Sequence, residues 1–325
     1  MIVHPDLRAL RGDDAPQRDA QEALYRALDD WRGQGRVACL REALAGFAEG
    51  GALPDQPLLA SLFETGGHAA ASFAQGFVTA ASTALRDAPL AHVPLRHFTD
   101  GVSSTLLLAR AGNATLSLVA IDGEGLRDQP APNSVSFAPV ETWEHILAGH
   151  AEGELVECRP AGPKLADLVR SPCTMGPGMV IARDGAAQAR LISSVEGCLV
   201  ALRLQRRQTQ AGPTREYDLA SGALLHLAAG NPRDSRVELM ITLLGRMGRA
   251  DAAPGIAAVA VGERSTALRW QALRECLALD SAAGFRALTR ISAVAGDTLA
   301  APAGALRAQL IEAHPQLETL ARCPT

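Results

Sequence analysis

The densest grouping of metal-ligating side chains is Glu141, Glu144, His145 and His150, with His226 as a further member. A zinc, iron or manganese site needs three or four donors that converge. Side chains alternate along a strand, so Glu141, Trp143 and His145 share one face, and a Glu–His pair there would point into a barrel. The competing expectation is a surface turn with solvated polar groups and one packed histidine. His226 lies in an apolar run, Gly222-Ala-Leu-Leu-His226, where a single histidine normally finds one partner in a packed interior. His97 and Asp100 are three apart, one residue off the spacing that would put both on one strand face. The basic residues concentrate at Arg203, Arg206, Arg207 and Arg215. Arg203 would point away from Leu202 and Leu204, and a guanidinium fork pairs with carboxylate or phosphate. The ligand-binding candidates are therefore Trp143, Arg203, Arg206 and His226. The metal candidates are Glu141, His145, His150 and His226, and no residue is assigned as catalytic.

Several chemistries are disfavoured. No G-x-S-x-G elbow, G-x-x-x-x-G-K-[ST] loop or G-x-G-x-x-G turn occurs, which argues against a serine hydrolase, an NTPase and a Rossmann dehydrogenase. Lys164 is the single lysine and sits in a Gly-Pro-flanked polar stretch, a poor place for a Schiff base. Cys39, Cys158, Cys173, Cys198, Cys276 and Cys323 include no C-x-x-C pair; reduced, mostly buried thiols are expected. The net charge is −4 and aromatic residues are 4%, so neither a basic field nor a stacking platform suits nucleic acid. No signal peptide and no membrane span are expected, and the compartment expected is the cytoplasm.

These residues must be positioned by three stretches of different character, in 325 residues that are 47% hydrophobic. Residues 1–88 read as helices. The stripes are Ala20, Leu24, Ala27, Leu28, Trp31, then Val37, Leu40, Leu44, Phe47, and later Phe73, Phe77, Ala80, Ala81. Asp55 is the expected N-cap of a short helix carrying Leu58, Leu59, Leu62 and Phe63. Residues 89–232 read as many short strands, beginning with a hairpin, Thr105–Arg110 and Thr115–Ile121. Further strands are expected at Ser134–Phe137, Trp143–Leu147, Glu154–Cys158, Gly178–Ala182, Gln188–Ser193, Cys198–Gln205 and Ala223–Leu227. Pro130–Asn133 and Pro160–Pro172 read as loops. Such strand spacing predicts an antiparallel sandwich or barrel. Residues 233–325 return to helix, with Ser235 and Glu238 as a capping box. Asp251–Val259 echoes Asp280–Leu288 at an offset of 29 residues, a sign of stacked helical hairpins.

Two resemblances follow from particular segments. Thr142-Trp-Glu-His-Ile-Leu-Ala-Gly-His-Ala-Glu-Gly-Glu154 resembles the first motif of a cupin jelly roll, and Met175-Gly-Pro-Gly-Met-Val-Ile-Ala182 the second. A cupin metal site expects H-x-H, a Glu and a later His. Near the first of these positions stands Ser136-Phe137-Ala138, and Gln188 or Arg190 falls where the later histidine would be. Leu268-Arg-Trp-Gln-Ala-Leu-Arg-Glu-Cys-Leu-Ala-Leu-Asp280 with Gly284–Leu288 resembles HEAT-type repeats, over less than a third of the chain. The whole is read as α+β: N-terminal helices, a degenerate cupin-like β domain over 89–232, and HEAT-like hairpins over 233–325. The resemblances imply a non-catalytic interaction or accessory protein, binding a protein partner through the helical repeats or a small molecule in the β domain. No cofactor is expected on this reading. The alternatives are a metal-dependent cupin-type enzyme (a dioxygenase or isomerase, holding Fe, Zn or Mn) and a small-molecule sensor. A homodimer is expected from exposed sheet edges, with no nucleic-acid or membrane partner.

Overall fold

The computed structural model describes residue 8 and residues 12–208, 212–228 and 232–320. His4, Cys323 and the Gly230–Asn231 junction lie outside the described residues. The described helices and strands make an α+β protein: helices, an antiparallel sheet sandwich, then helices. They group into two compact units. The first holds the N-terminal helices and strands β1–β8 together with Glu216–Leu225; the second holds the C-terminal helices. No helix among the described residues is long and apolar enough to cross a membrane.

The N-terminal helices are α1 (Ala15–Gly33), α2 (Gly35–Ala48), the short α3 (Pro57–Ala60) and α4 (Ala69–Asp87). Their buried residues follow the expected stripes: Leu24, Leu28 and Trp31 in α1, and Val37, Leu40, Leu44 and Phe47 in α2. Trp31 closes the group by meeting Phe73 and Phe77 at ring-centroid distances of 5.5 and 5.3 Å. Asp55 is not the N-cap of α3. Gln56 holds that position, and the Asp55 carboxylate accepts from the Ala52 amide in a preceding 3₁₀ turn.

The strands are β1 (His97–Thr99), β2 (Ser103–Ala111), β3 (Ala114–Asp122), β4 (Ser134–Phe137), β5 (Val140–Gly162), β6 (Leu165–Met175), β7 (Val180–Asp184), β8 (Gln188–Arg207), β9 (Thr214–Asp218) and β10 (Leu224–Ala228). One sheet runs β1-β2-β3-β8-β5-β6, with β7 also on β5; a second runs β10-β9-β4. A five-residue helix, α5 (Gly123–Arg127), follows β3. Two expected pairs of strands are single strands. Trp143–Leu147 and Glu154–Cys158 are both β5, and Gln188–Ser193 and Cys198–Gln205 are both β8. Gly149 and Gly197, which lie between the expected strands of each pair, are bends inside single strands, with positive φ of 82° and 65°. A Cβ on Gly149 would sit 2.2 Å from the Cys198 carbonyl oxygen, so only glycine lets the two strands run past each other there. Pro160–Pro172 is likewise mostly strand, as β6 pairs with β5 from Ala151↔Met175 to Gly162↔Leu165.

Because β5 and β8 bend, the first sheet has two halves. The outer face of the first half presents Leu116, Trp143, Leu202 and Leu204 to the N-terminal helices in one core. The inner face packs Val119, Ile146, Ala201 and Ile181 with Met175, Ala151 and Val195 from the other half. On that other half's far face, Val156, Ala166 and Ala189 pack with Val135, Phe137 and Tyr217 of β4 and β9.

The C-terminal unit contains α6 (Pro232–Arg246), α7 (Ala253–Val261), α8 (Thr266–Leu279), α9 (Ser281–Ser292), α10 (Ala300–Ala313) and the short α11 (Leu317–Leu320). Asp251–Val259 opens α7 and Asp280–Leu288 opens α9, so the 29-residue echo falls on equivalent helix starts. Asp280 caps α9, accepting from the amides of Ala282 and Ala283. Ser235 is not a cap: α6 begins at Pro232, which places Ser235 inside its first turn. The core of this unit is built on Ile256, Leu268, Leu273, Phe285, Leu288 and Ile291. Arg269 clamps Asp297 at 3.0 and 2.5 Å across it. Among the described cysteines only Cys276 is buried; Cys39 on α2 and Cys198 on β8 are exposed.

Candidate functional site

Period-two alternation places Glu141, Trp143 and His145 on one face of β5, as the sequence predicts, but that face is the outer one. It is covered by helices, so the three do not point into the sandwich. Trp143 meets Phe47 at 5.6 Å. The buried His145 ring places Nδ1 2.7 Å from the Leu62 carbonyl oxygen. Glu141 accepts from Arg206 Nε at 2.7 Å. Arg206 then donates through Nη1 to the carbonyls of Phe47 and Gly51 at 2.9 and 2.6 Å, and lies 4.1 Å from the Phe47 ring centroid. Arg206 and Trp143 thus fasten α2 to the sheet.

The expected metal donors are not brought together. His150 is exposed and borders an open groove of about 380 Å³ with Glu152, Thr174, Ser194 and Glu196. His226 is exposed on β10 and belongs to the second unit. His97 is exposed, and Asp100 spends its carboxylate on the amides of Val102 and Ser103. Among the described residues no group of three or more His, Cys, Asp or Glu side chains could hold a metal ion.

The residue between Trp143 and His145 faces the other way. Glu144 points to the inner side, with 0% of its side chain exposed, and is held by three arginines. Arg203, its cross-strand neighbour on β8, donates from Nε to Oε1 at 2.8 Å and brings Nη2 to 2.7 Å from the same oxygen. Arg183 on β7 donates from Nη2 to Oε2 at 2.8 Å. Arg190 donates from Nη2 to Oε1 at 3.3 Å, with Nη1 3.1 Å from Oε2. Arg190 is opposite Leu155, in the other half of the bent sheet, so its contact with Glu144 spans the inner space. Its Nη1 also meets the Met175 sulfur at 3.4 Å.

This cluster holds three positive charges against one negative. Burial by itself would raise the Glu144 pKa, but the guanidiniums of Arg190, Arg203 and Arg183 override it and hold the carboxyl near about 2. Burial lowers the pKa of Arg190, while Glu144 opposes that shift. Arginine nonetheless stays protonated in proteins, so the cluster keeps an excess of cation. Arg183 Nε is buried with no hydrogen-bond partner. Arg190 is 6% exposed, Arg183 14% and Arg203 21%, so the last two reach solvent. A cluster with three guanidiniums repels a divalent cation, and the residues present do not fit the metal a cupin site would hold. They fit an anion, since guanidinium forks bind carboxylate and phosphate.

Of these residues, Arg203 was a sequence candidate and Arg190 stood at the place of a missing histidine. Arg183 and the role of Glu144 were missed. The usable signal was alternation: charged residues on the face opposite Trp143 and His145, in strands too apolar to be surface strands.

No family model and no curated protein matches the chain. Solved structures do match in part. KdgF from Halomonas sp. aligns at 12% identity, covering 36% of this chain and 90% of that one, with a TM-score of 0.25. DMSP lyase DddQ from Ruegeria pomeroyi DSS-3 aligns at 15% identity, covering 46% and 68%, with a TM-score of 0.27. A sugar phosphate isomerase of the cupin superfamily from Silicibacter pomeroyi DSS-3 aligns at 14% identity, covering 39% and 77%, with a TM-score of 0.22. Likenesses at this level carry no argument about activity. The sandwich reading rests on the strand order itself.

Proposed function

We propose that this chain is a non-catalytic accessory protein whose β unit takes up a small anion between the two halves of its bent sheet. The observation that carries this reading is the buried Glu144 carboxylate outnumbered by Arg183, Arg190 and Arg203, with Arg183 Nε unpartnered. A buried donor without a partner costs free energy, and so does uncompensated buried charge. An anion arriving through the partly exposed side of Arg183 and Arg203 would relieve both. The helical unit, with its HEAT-like echo, is read as the partner-binding part of the same accessory protein.

Thermal melting of the full chain in inorganic phosphate and in acetate tests this. Binding stabilises the folded state by RT ln(1 + [L]/Kd), or ~2.7 kcal/mol at a hundredfold excess over Kd. A rise in Tm with either anion, lost in Arg183→Met, is expected. No rise with any anion would overturn the reading. One tightly held iron, zinc or manganese per chain would instead favour the cupin-type enzyme.

A further inference from the structure

The inner face beside Glu144 carries a second pattern. Strand register sets out two neighbouring rungs across β3, β8, β5 and β7. One runs Ser117↔Arg203↔Glu144↔Ile181 and the next Thr115↔Gln205↔Thr142↔Arg183. The following rung in the other direction is apolar, with Val119↔Ala201↔Ile146. One continuous face therefore changes from aliphatic to hydroxyl, amide and guanidinium within a single step. Ser117 and Thr142 are both buried, and Gln205 Nε2 donates to Thr142 Oγ1 at 3.3 Å. Hydroxyls buried in a sheet interior contribute less than the aliphatic residues of the adjacent rung would. These hydroxyls and the Gln205 amide offer hydrogen-bonding groups to a hydroxylated ligand.

Resting on the anion-binding reading above, we infer that the ligand is an oxyanion on a hydroxylated stem, its anionic end on Arg183 and Arg203 and its hydroxyls on Ser117, Thr142 and Gln205. Same-face rungs are ~7 Å apart and neighbouring strands ~4.8 Å, which suits a stem of a few carbons lying across the two rungs. The anionic end is a carboxylate or a phosphate monoester, since both match a guanidinium fork.

Isothermal titration of the full chain separates the cases. Gluconate is compared with hexanoate, and glycerol 3-phosphate with propyl phosphate. The hydroxylated member of at least one pair should bind about tenfold tighter, the effect of one or two net hydrogen bonds. The pair that shows the preference identifies the anion as carboxylate or phosphate. Ser117→Ala and Thr142→Val, which remove the two hydroxyls, should reduce the preference for the hydroxylated member of the pair; the wild-type comparison stands even where a variant fails to fold. Equal affinity within both pairs would overturn the hydroxylated stem and leave the anion site intact. No binding by any of the four would overturn both.

Discussion

Glu144 shows how much of the site rests on one side chain. Its pKa is held near about 2 in the folded chain, against an ordinary value of 4.5. A lowered pKa contributes stability that is fully present above the unfolded value and is lost as pH falls through the folded one. The contribution is therefore intact above about pH 5 and fades between about pH 4.5 and 2, amounting to about 3 kcal/mol. Glu144→Gln leaves three arginines facing each other without their shared carboxylate. It should cost about 3 kcal/mol or more at pH 7, because breaking a buried pair strands the remaining charge. Urea unfolding of both proteins from pH 7 to pH 2.5 checks this, with the gap expected to narrow as the solution is acidified. Parallel curves across that range would show that Glu144 is not held by the arginines. Arg206→Met is the matching variant on the outer face. It removes the Glu141 pair and two carbonyl contacts, and should destabilise by about 2 kcal/mol without changing anion binding.

At the scale of elements, the bent strands β5 and β8 create the inner space. Their bend depends on Gly149, whose φ of 82° and closeness to Cys198 exclude a side chain. Gly149→Ala should destabilise by at least about 2 kcal/mol in chemical denaturation, through strain and a carbonyl clash. Gly162→Ala, in the same strand with open space around it, should stay within about 0.5 kcal/mol. The same glycines explain what the sequence showed and concealed. The stripes of α1 and α2 were legible because a period of 3.6 residues marks a helix directly, and Leu24, Leu28, Val37 and Leu44 obey it. The bends were not, because a glycine inside a strand and a glycine ending one look identical in sequence. Strand β6 was concealed by Pro172 and by its polar residues. The alternation of Glu141, Trp143 and His145 was read correctly, but a period of two cannot say which face a distant helix covers. That single unknown turned the outer-face residues into site candidates and left Arg183 unnoticed.

At the scale of the whole molecule, the first unit brings together parts far apart in sequence. Glu144, Arg183, Arg190 and Arg203 come from three strands and meet only because β5 and β8 fold back across the inner space. The central claim is that this space holds an anion. Its most direct measurement is anomalous diffraction from crystals of the full chain soaked in selenate, with selenium standing in for the phosphorus of an oxyanion. The account predicts a peak at the unpartnered Arg183 Nε and beside the Arg203 guanidinium, absent in Arg183→Met crystals. Selenate bound elsewhere, with the space beside Glu144 empty, would contradict it.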